Sequence, residues 1–311
     1  MTASRRVVAV GYGGPENLQV QELTVGEPGP GQARVSVRAA GVNPADAKSY
    51  RNEGDPSRLP LRLGYEAAGV VTAVGPDAAR VAVGDEVIVF RTGGAYATDL
   101  VVDESTLTPK PASLGWAEAG GLMLTGATAT HTLVATGVGE GDTVLVHGAS
   151  GGVGLMAVQL ARLRGATVIG TTNPRNDDLL RHLGAVPVAY GDGLADRVRA
   201  LAPQGVDVAI DLVGTDEAMD VSLELVADRG RIATIANFAR GPREGVQLLG
   251  GGPGADPGND IRDAARAELA RLAGDGALRV LVGSTYPLDE AAEAHRQILT
   301  GHTTGKLVLL P

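Results

Sequence analysis

Hydrophobic and polar positions follow two different patterns along the chain, and the pattern changes near Pro111. Before Pro111, short runs of β-branched residues are separated by turn clusters rich in Gly and Pro, such as residues 27–31. Short strands between Gly/Pro turns are typical of a barrel or a sandwich. The predicted strands are residues 7–10, 33–37, 70–74 and 86–90. We therefore expect the first third of the chain to be rich in β-structure.

After Pro111, apolar strand patterns alternate with apolar positions at helical spacing. The predicted strands are 143–147, 166–171, 206–212, 231–235, 278–282 and 306–310, and the predicted helices are 152–164, 177–183, 216–227, 261–273 and 289–299. This alternation predicts a parallel sheet with helices on both faces. The run 240–260 is rich in Gly and Pro, so we expect a loop or a mobile flap there rather than a core element.

Residues 119–139 contain no Asp, Glu, Lys or Arg, and the segment is long enough to cross a bilayer. Its many Thr and Gly residues and His131 make it too polar for a membrane span. We expect a buried helix of small residues, packed closely on another element. An export signal is not expected at Arg5 and Arg6, because a glycine-rich turn follows too soon for an apolar segment. The chain is predicted to be cytoplasmic, without membrane contact.

A glycine-rich turn joins one predicted strand to the helix that follows it. Residues 143–147 run directly into Gly148-Ala149-Ser150-Gly151-Gly152-Val153-Gly154. Glycines permit a tight turn and a close backbone approach to a pyrophosphate, and the helix N-terminus presents N–H groups and a partial positive charge to it. Because strand, turn, helix and second strand occur in the expected order, the turn predicts a dinucleotide site.

The residues that follow the predicted strand 166–171, the second strand of the dinucleotide motif, indicate which nicotinamide cofactor is used. A site for NAD places an Asp or Glu there to accept from the ribose hydroxyls. No acid follows the predicted strand 166–171 until Asp177, whereas Arg175 stands where a guanidinium could pair with a 2′-phosphate. NADPH is therefore predicted in preference to NADH. The competing interpretation is that Arg175 is an ordinary solvated loop charge.

Composition excludes several classes of protein. The 311 residues suggest about two domains. The complete lack of cysteine excludes a disulfide scaffold, thiolate catalysis and every cysteine-liganded zinc or iron–sulfur site. A formal net charge of −9 argues against nucleic acid as a partner. No tyrosine is followed four positions later by lysine, so the short-chain dehydrogenase pair is absent.

Several longer motifs carry a resemblance to a known family. They are Ala40-Gly41-Val42-Asn43-Pro44-Ala45-Asp46, Gly64-Tyr65-Glu66-Ala67-Ala68-Gly69, Gly84-Asp85-Glu86-Val87, Thr125-Gly126-Ala127-Thr128-Ala129, the glycine turn, and Pro287-Leu288-Asp289-Glu290-Ala291 with His295. With these motifs the chain resembles the zinc-independent quinone oxidoreductase (ζ-crystallin-like) branch of the medium-chain dehydrogenase/reductase superfamily, over nearly its whole length. The resemblance implies an α/β fold: a GroES-like β-rich catalytic domain (1–118 and 280–311) plus a Rossmann doubly wound parallel sheet that binds NADPH (119–279).

The resemblance also implies roles for particular residues. The expected catalytic residues are Asn43, Asp46, Lys48, Tyr50 and Tyr65. The expected cofactor-binding residues are Ser150, Gly151, Gly152 and Val153 at the pyrophosphate, Asn173, Arg175 and Tyr190 at the 2′-phosphate, Thr125 and Thr128 beside the nicotinamide, Leu212, Val213, Ala236, Asn237 and Phe238 along its ribose, and Lys306 from the last strand. Simpler interpretations remain open, with Asn43 in a turn, Asp46 capping a helix and Tyr65 packing.

Zinc alcohol dehydrogenases of the same superfamily carry a Cys just after the Gly-Val segment and a His between the Gly and Glu of the second motif. This chain has Asn43 in the first region and Tyr65 at the second position, so no metal is expected. Enoyl-thioester reductases often carry a tyrosine about ten residues past Asn43, where this chain has Glu53-Gly54-Asp55. Acyl-thioester reduction through such a tyrosine is therefore disfavoured.

The predicted activity is hydride transfer from NADPH to a quinone. Two other functions remain open at this point: reduction of enones or alkenals, and cofactor binding without catalysis. The expected partners are a small-molecule quinone or enone and, by resemblance, a second copy of the chain in a homodimer. The Gly/Pro run 250–258 departs from the family pattern and has no predicted role.

Overall fold

The computed structural model describes every residue from Met1 to Pro311, and the chain divides into two compact units. Unit 1 comprises residues 1–124 and 267–311, and unit 2 comprises residues 125–266. The strands are β1 (Thr2–Ala9), β2 (Leu18–Val25), β3 (Gln32–Val42), β4 (Leu61–Arg62), β5 (Glu66–Val74), β6 (Glu86–Phe90), β7 (Asp99–Asp103), β8 (Leu107–Pro109), β9 (Thr143–His147), β10 (Thr167–Thr172), β11 (Val186–Ala189), β12 (Val208–Asp211), β13 (Ile232–Thr234), β14 (Gln247–Leu248), β15 (Val282–Pro287) and β16 (Lys306–Leu310). The helices are α1 (Pro44–Arg51), α2 (Trp116–Ala135), α3 (Gly152–Leu163), α4 (Asp177–His182), α5 (Leu194–Leu201), α6 (Asp216–Leu225), α7 (Gly241–Glu244), α8 (Asn259–Gly274) and α9 (Ala291–Leu299).

Unit 1 is built on two sheets. The larger has seven strands in the order β15-β16-β3-β5-β6-β8, with β7 also pairing with β3, and the smaller has the order β2-β1-β4. The long strand β3 has register shifts between Arg34 and Val35 and between Val37 and Ala39, where it pairs with β5. Strand β16 pairs antiparallel with β3, so the end of the chain returns to this sheet. The β-rich GroES-like architecture expected for the first third and the C-terminal return is confirmed.

Unit 2 contains a six-stranded parallel sheet in the order β11-β10-β9-β12-β13-β14. Strands added after β9 extend the sheet on one side through β10 and β11, and later strands extend it on the other side from β12. The order therefore reverses between β9 and β12, which is the switch point at which doubly wound sheets bind dinucleotides. The apolar residues of β9 and β12 are fully buried, as expected for a parallel sheet covered on both faces. The predicted Rossmann sheet is confirmed.

The small-residue helix predicted over 119–139 forms as α2 and begins and ends a few residues earlier. Its first half packs closely on β3, because a Cβ atom at Gly120 would lie only 2.8 Å from the backbone oxygen of Ala39. Larger side chains would therefore hold the helix away from the strand. No helix of the structure combines the length and the hydropathy needed to cross a bilayer.

Two predicted elements are wrong. The strand predicted at 278–282 forms later, as β15, an edge strand whose residues alternate between half-buried and exposed positions. The apolar side chains of Leu278 and Val280 are buried although they lie outside any strand. Their alternating apolar pattern therefore predicted a strand where none forms. The run 240–260 is more structured than predicted, since it contains α7 and the sixth strand, β14. Gly245, in the left-handed conformation with φ of 69°, ends α7 and turns the chain into β14.

Outside the run 240–260, seven elements were absent from the prediction: β2, β4, β7, β8, α1, β11 and α5. Helix α1 has only three buried residues in eight, so its apolar pattern is weak. Strand β11 is four residues long and carries a proline, and α5 is eight residues long and buries only two side chains fully. Such short elements form because the sheet and its neighbouring helices cover them.

Candidate active site

The glycine turn lies at the carboxyl end of β9, next to the switch point of the sheet. Gly148 has φ of 75°, a conformation that favours glycine. A Cβ atom at Gly154 would overlap the backbone oxygen of Gly148, so the turn and the first turn of α3 close only around glycine. The N–H groups of Ser150, Gly152 and Val153 thus stand at the start of α3, where a helix offers its unpaired donors, whereas the N–H of Gly151 donates to the oxygen of Gly148 at 3.1 Å. This geometry fits the predicted pyrophosphate site.

The predicted 2′-phosphate residues follow β10 and β11, which are neighbours in the sheet. The Asn173 side chain accepts a hydrogen bond from the backbone N–H of Arg175 at 3.1 Å and fixes the turn after β10. The Arg175 side chain is exposed, and Tyr190, directly after β11, is 51% exposed. Immediately before them, the hydroxyl of Thr172 is buried without a hydrogen-bond partner. A buried orphan hydroxyl at this edge is what an absent polar ligand would leave.

The other predicted cofactor residues of unit 2 follow β12 and β13. Asp211, at the end of β12, is fully buried and accepts from the backbone N–H groups of Val213 at 2.9 Å and Gly214 at 2.8 Å. The hydroxyl of Thr234 donates to Asp211 at 2.8 Å and accepts from the backbone N–H of Asn237 at 2.9 Å. Leu212, Val213, Ala236, Asn237 and Phe238 thereby lie on two turns fixed by one hydrogen-bond network. Asp211 and Thr234 hold these turns without being predicted ligands.

Helix α2 supplies two further predicted ligands of unit 2. Thr125 and Thr128 are three residues apart, so they share one face of the helix, and both are buried. His131 continues the same face and is completely buried. Its Nε2 lies 3.2 Å from a carboxylate oxygen of Asp256.

In unit 1, Asn43 and Lys306 meet around the buried carboxylate of Glu66. The Lys306 ammonium donates to Asn43 Oδ1 at 2.5 Å, to Glu66 at 2.9 Å and to the backbone oxygen of Val42 at 3.2 Å. The Asn43 amide in turn donates to Glu66 at 3.0 Å. All three donors of the Lys306 ammonium are therefore used within unit 1. That Lys306 reaches the cofactor stays a prediction, and the structure adds a role in orienting Asn43.

Asp46 is completely buried one turn after Asn43. Its carboxylate accepts from the backbone N–H of Asn43 at 2.8 Å, from that of Gly64 at 3.0 Å, and from the hydroxyl of Tyr96. Asp46 thus ties the start of α1 to the segment that carries Tyr65. Burial raises the pKa of Asp46 to about 7, against the opposing effect of these donors and of the Lys306 charge.

Tyr50 belongs to a buried chain of hydrogen bonds that continues from Asp46. Since Tyr96 donates to Asp46, its oxygen accepts from Nε2–H of His295, at 3.2 Å. Nδ1 of His295 then carries no proton and accepts from the Tyr50 hydroxyl at 2.7 Å. Burial lowers the pKa of His295 to about 4, which keeps this neutral tautomer. Sequence reasoning missed Tyr96, because nothing local marks a residue whose partner is 199 positions away.

The remaining predicted catalytic residues are Lys48 and Tyr65. Lys48 lies on the exposed side of α1. The side chain of Tyr65 is 37% exposed. Partial burial, and secondarily the charge of Asp46, raise the pKa of its hydroxyl. Tyr65 therefore carries its proton at neutral pH, while Lys48 is set apart from the buried groups. No cluster of three or more His, Asp or Glu side chains is arranged to hold a metal ion.

Two families of known proteins match the chain, one in its first half and the other in its second. The family described as alcohol dehydrogenase GroES-like domain matches residues 29–138, and the family described as zinc-binding dehydrogenase matches residues 183–309. A quinone oxidoreductase from Pseudomonas aeruginosa is 37% identical over 99% of this chain and 100% of its own length. A 2-haloacrylate reductase from Burkholderia is 35% identical over 96% of both chains.

Solved structures show the same fold. An NAD-dependent alcohol dehydrogenase superposes with a TM-score of 0.87 and 32% identity over 99% of both chains. The Escherichia coli quinone oxidoreductase, solved in complex with NADPH, superposes with a TM-score of 0.86 and 28% identity over 99% of this chain and 100% of its own. These matches show an oxidoreductase with a nicotinamide cofactor and a small-molecule substrate. The chain belongs to the quinone oxidoreductase branch of the medium-chain dehydrogenase/reductase superfamily.

Proposed function

We propose that the protein reduces quinones with NADPH. The observation that carries this proposal is the carboxyl edge of the six-stranded sheet in unit 2. There the glycine turn stands between the turn that bears Arg175, on one side, and the network of Asp211 and Thr234, on the other. A dinucleotide needs these three parts in this order. When bound, NADPH would supply the hydride.

We assign the selection of NADPH over NADH to the turns after β10 and β11, where the adenosine part of the cofactor would bind. Arg175 provides a forked, permanently charged donor where an NAD site carries a carboxylate. Asn173 orders the turn, and the exposed ring of Tyr190 directly follows the neighbouring strand β11. The backbone of Ser150 to Val153 would bind the pyrophosphate. The NADPH complex of the Escherichia coli relative supports the proposal, while the NAD-dependent structural relative shows that the fold serves either cofactor.

We assign the orientation of the nicotinamide to the other side of the glycine turn, which is formed by α2 and by the turns after β12 and β13. Thr125 and Thr128 of α2, and the two turns with Leu212, Val213, Ala236, Asn237 and Phe238, would hold the nicotinamide and its ribose. Positioning contributes most to such a reaction, because a quinone is already a good hydride acceptor. The rigid network of Asp211 and Thr234 supports this role, since it fixes both turns from inside the unit.

The catalytic step is assigned to Asn43, Asp46, Lys48, Tyr50 and Tyr65 of unit 1, with Lys306 orienting Asn43. Among these, Tyr65 has a protonated and partly exposed hydroxyl that could supply a proton to the reduced product. Replacement of Tyr65 by Phe should lower kcat for an enone, whose product must be protonated on carbon. An unchanged kcat would assign proton delivery to water.

Zinc is not expected to take part. Metal sites of this superfamily are built with a cysteine and a histidine, and this chain has no cysteine and carries Tyr65 at the histidine position. A quinone does not need a Lewis acid in order to accept hydride. Elemental analysis of the purified protein, with activity measured before and after dialysis against a chelator, tests this proposal. Loss of activity that returns with zinc would contradict it.

The deciding experiment is a screen of cofactors and acceptors, followed at the nicotinamide absorbance. NADPH and NADH are each combined with a series of quinones and a series of activated alkenes. Turnover of quinones with NADPH is the expected result. Turnover of activated alkenes alone would favour the second candidate, an alkene reductase, which the 2-haloacrylate reductase relative supports. Tight NADPH binding without turnover of any acceptor would assign a binding role only.

A homodimer is proposed on the family resemblance. Light scattering coupled to size-exclusion chromatography measures its mass directly, against 31.6 kDa for one chain. A mass of one chain at working concentration would contradict the proposal.

A further inference from the structure

The Gly/Pro run after β14 is a closed loop rather than an open flap. We call residues 249–258 the glycine loop. The backbone N–H of Asp256 donates to the oxygen of Leu248 at 2.8 Å, and the N–H of Gly250 donates to the oxygen of Asp256 at 2.7 Å. These bonds join the two ends of the loop, and Leu249 at its start is buried. The glycine loop therefore has a defined shape that can position other groups.

One end of the glycine loop is anchored on helix α2. A Cβ atom at Gly258 would overlap the ring of His131, so the ring lies directly against the loop backbone. His131 donates from Nε2 to the Asp256 carboxylate at 3.2 Å, and the Asp256 carboxylate also accepts from the N–H of Gly258 at 2.8 Å. Since His131 lies one helical turn after Thr128, the anchor stands on the face that carries the predicted nicotinamide ligands.

The other side of the glycine loop supports an aromatic ring. A Cβ atom at Gly252 would lie 2.5–2.6 Å from three ring carbons of Phe238, so the ring rests flat on the backbone of Gly252. Ordinary contact between carbon atoms is about 3.5–4.0 Å, so any side chain here would move the ring by about 1 Å. The neighbouring Gly251 has nothing within 4 Å of a Cβ atom. The close approach is thus confined to one position of the loop.

Phe238 belongs to the half of the sheet that doubly wound folds use for the nicotinamide. Its segment follows β13, and Asn237 beside it is held by Thr234. A flat aromatic ring at this place is suited to face the planar ring system of a hydride acceptor. Because the ring rests on Gly252, its position depends on the absence of a side chain there.

We propose that Gly252 determines acceptor size by letting the ring of Phe238 settle against the glycine loop, which leaves room for acceptors with several fused rings. This inference rests on the proposed function and names a residue that sets its selectivity between extended planar quinones and small single-ring ones. A side chain at position 252 pushes Phe238 away from the loop and narrows the space. Gly252 acts through Phe238 and is a specificity-determining residue rather than a catalytic one.

The test compares Gly252→Ala with Gly251→Ala, which adds the same methyl group in open space. For each variant, kcat/KM is measured with 9,10-phenanthrenequinone and with 1,4-benzoquinone, and the ratio of the two is the readout. Gly252→Ala should lower this ratio roughly tenfold, a change typical of a small steric change in a binding site. Gly251→Ala should leave the ratio unchanged. Equal ratios in the two variants would overturn the inference.

A second variant shows whether Phe238 carries the effect. In the Phe238→Ala background, the change Gly252→Ala should no longer alter the ratio, since no ring remains to be displaced. An undiminished effect in that background would overturn the inference. This double variant also keeps the test usable if Gly252→Ala alone fails to fold, because removal of the ring admits the new methyl group.

The outcomes separate the two proposals. If the wild-type protein reduces no acceptor with either cofactor, the proposed function and this inference both fall. If the wild type reduces quinones but Gly252→Ala behaves like Gly251→Ala, only the inference falls and the proposed function stands.

Discussion

Thr234 and Asp211 join the ends of two neighbouring strands through one hydrogen bond of 2.8 Å, donated by the Thr234 hydroxyl. The same hydroxyl accepts from the backbone N–H groups of Ala236 at 3.1 Å and Asn237 at 2.9 Å. The second oxygen of Asp211 accepts from the two N–H groups of the turn after β12. All five hydrogen bonds lie at the edge where the cofactor is proposed to bind. The pair therefore shapes both turns, although neither residue is a predicted ligand.

Replacement of Thr234 by Val keeps the shape of the side chain and removes the hydroxyl. Two backbone N–H groups and one buried carboxylate oxygen then lose a partner, which should cost about 2–3 kcal/mol in the free energy of unfolding. The dissociation constant for NADPH should rise roughly tenfold as the turns loosen. Urea unfolding and fluorescence titration measure the two effects. Thr234→Ser, which keeps the hydroxyl, is the control. An unchanged NADPH affinity in Thr234→Val would show that the network stabilises the fold but does not shape the cofactor site.

Arg175→Gln should weaken NADPH binding roughly tenfold and leave NADH binding unchanged, because only NADPH carries the 2′-phosphate that the guanidinium is proposed to bind. Calorimetric titration with each cofactor measures both constants. The matched control is Arg181→Gln in α4, which removes the same charge from a residue paired with Asp177 and Asp178. If Arg175→Gln weakened the binding of NADPH and NADH equally, Arg175 would act only through its long-range positive charge and not through a contact with the 2′-phosphate.

Lys306→Met should destabilise the protein by about 3–5 kcal/mol, since it leaves the buried carboxylate of Glu66 without its counter-ion. The double variant Lys306→Met/Glu66→Gln should recover much of that loss, because no buried charge then remains unpaired. Chemical unfolding measures the series, and Lys48→Met on the exposed side of α1 is the control, with a change below about 0.5 kcal/mol. A loss for Lys306→Met as small as that of the control would contradict this account.

Asp46 should make stability depend on pH in the opposite sense to an ordinary carboxylate. Burial raises its pKa to about 7, against about 3.9 in an unfolded chain, so the folded protein binds the extra proton. The resulting stabilisation is fully present below about pH 4 and is lost as the pH rises through 7.

The comparison of wild type with Asp46→Asn isolates this effect from the titration of histidines. Between pH 6 and pH 8, the difference in unfolding free energy between the two proteins should change by about 1 kcal/mol, with the wild type losing stability. Urea unfolding at several pH values measures it. A difference that stays constant would mean that the three donors around Asp46 keep its carboxylate ionised.

The glycine turn was predictable because its requirements are local. The strand before Gly148, the positive φ of that residue and the helix after Gly151 are all encoded within about a dozen neighbouring positions. Strand and helix alternation after Pro111 likewise follows from local periodicity, so the parallel sheet was expected correctly. The short elements α1, β11 and α5 escaped because their own apolar patterns are weak and their stability comes from what covers them.

The sequence by itself determined the class of fold, the family and the place of the dinucleotide turn, because each depends on residues close together in the chain. Only the tertiary structure decided the partners of Lys306, which lie more than 200 positions away, and the chain from Asp46 through Tyr96 and His295 to Tyr50. It also turned the Gly/Pro run into a closed loop under Phe238. Burial is the physical reason in each case, since a buried donor, acceptor or ring must find a partner wherever the fold brings one.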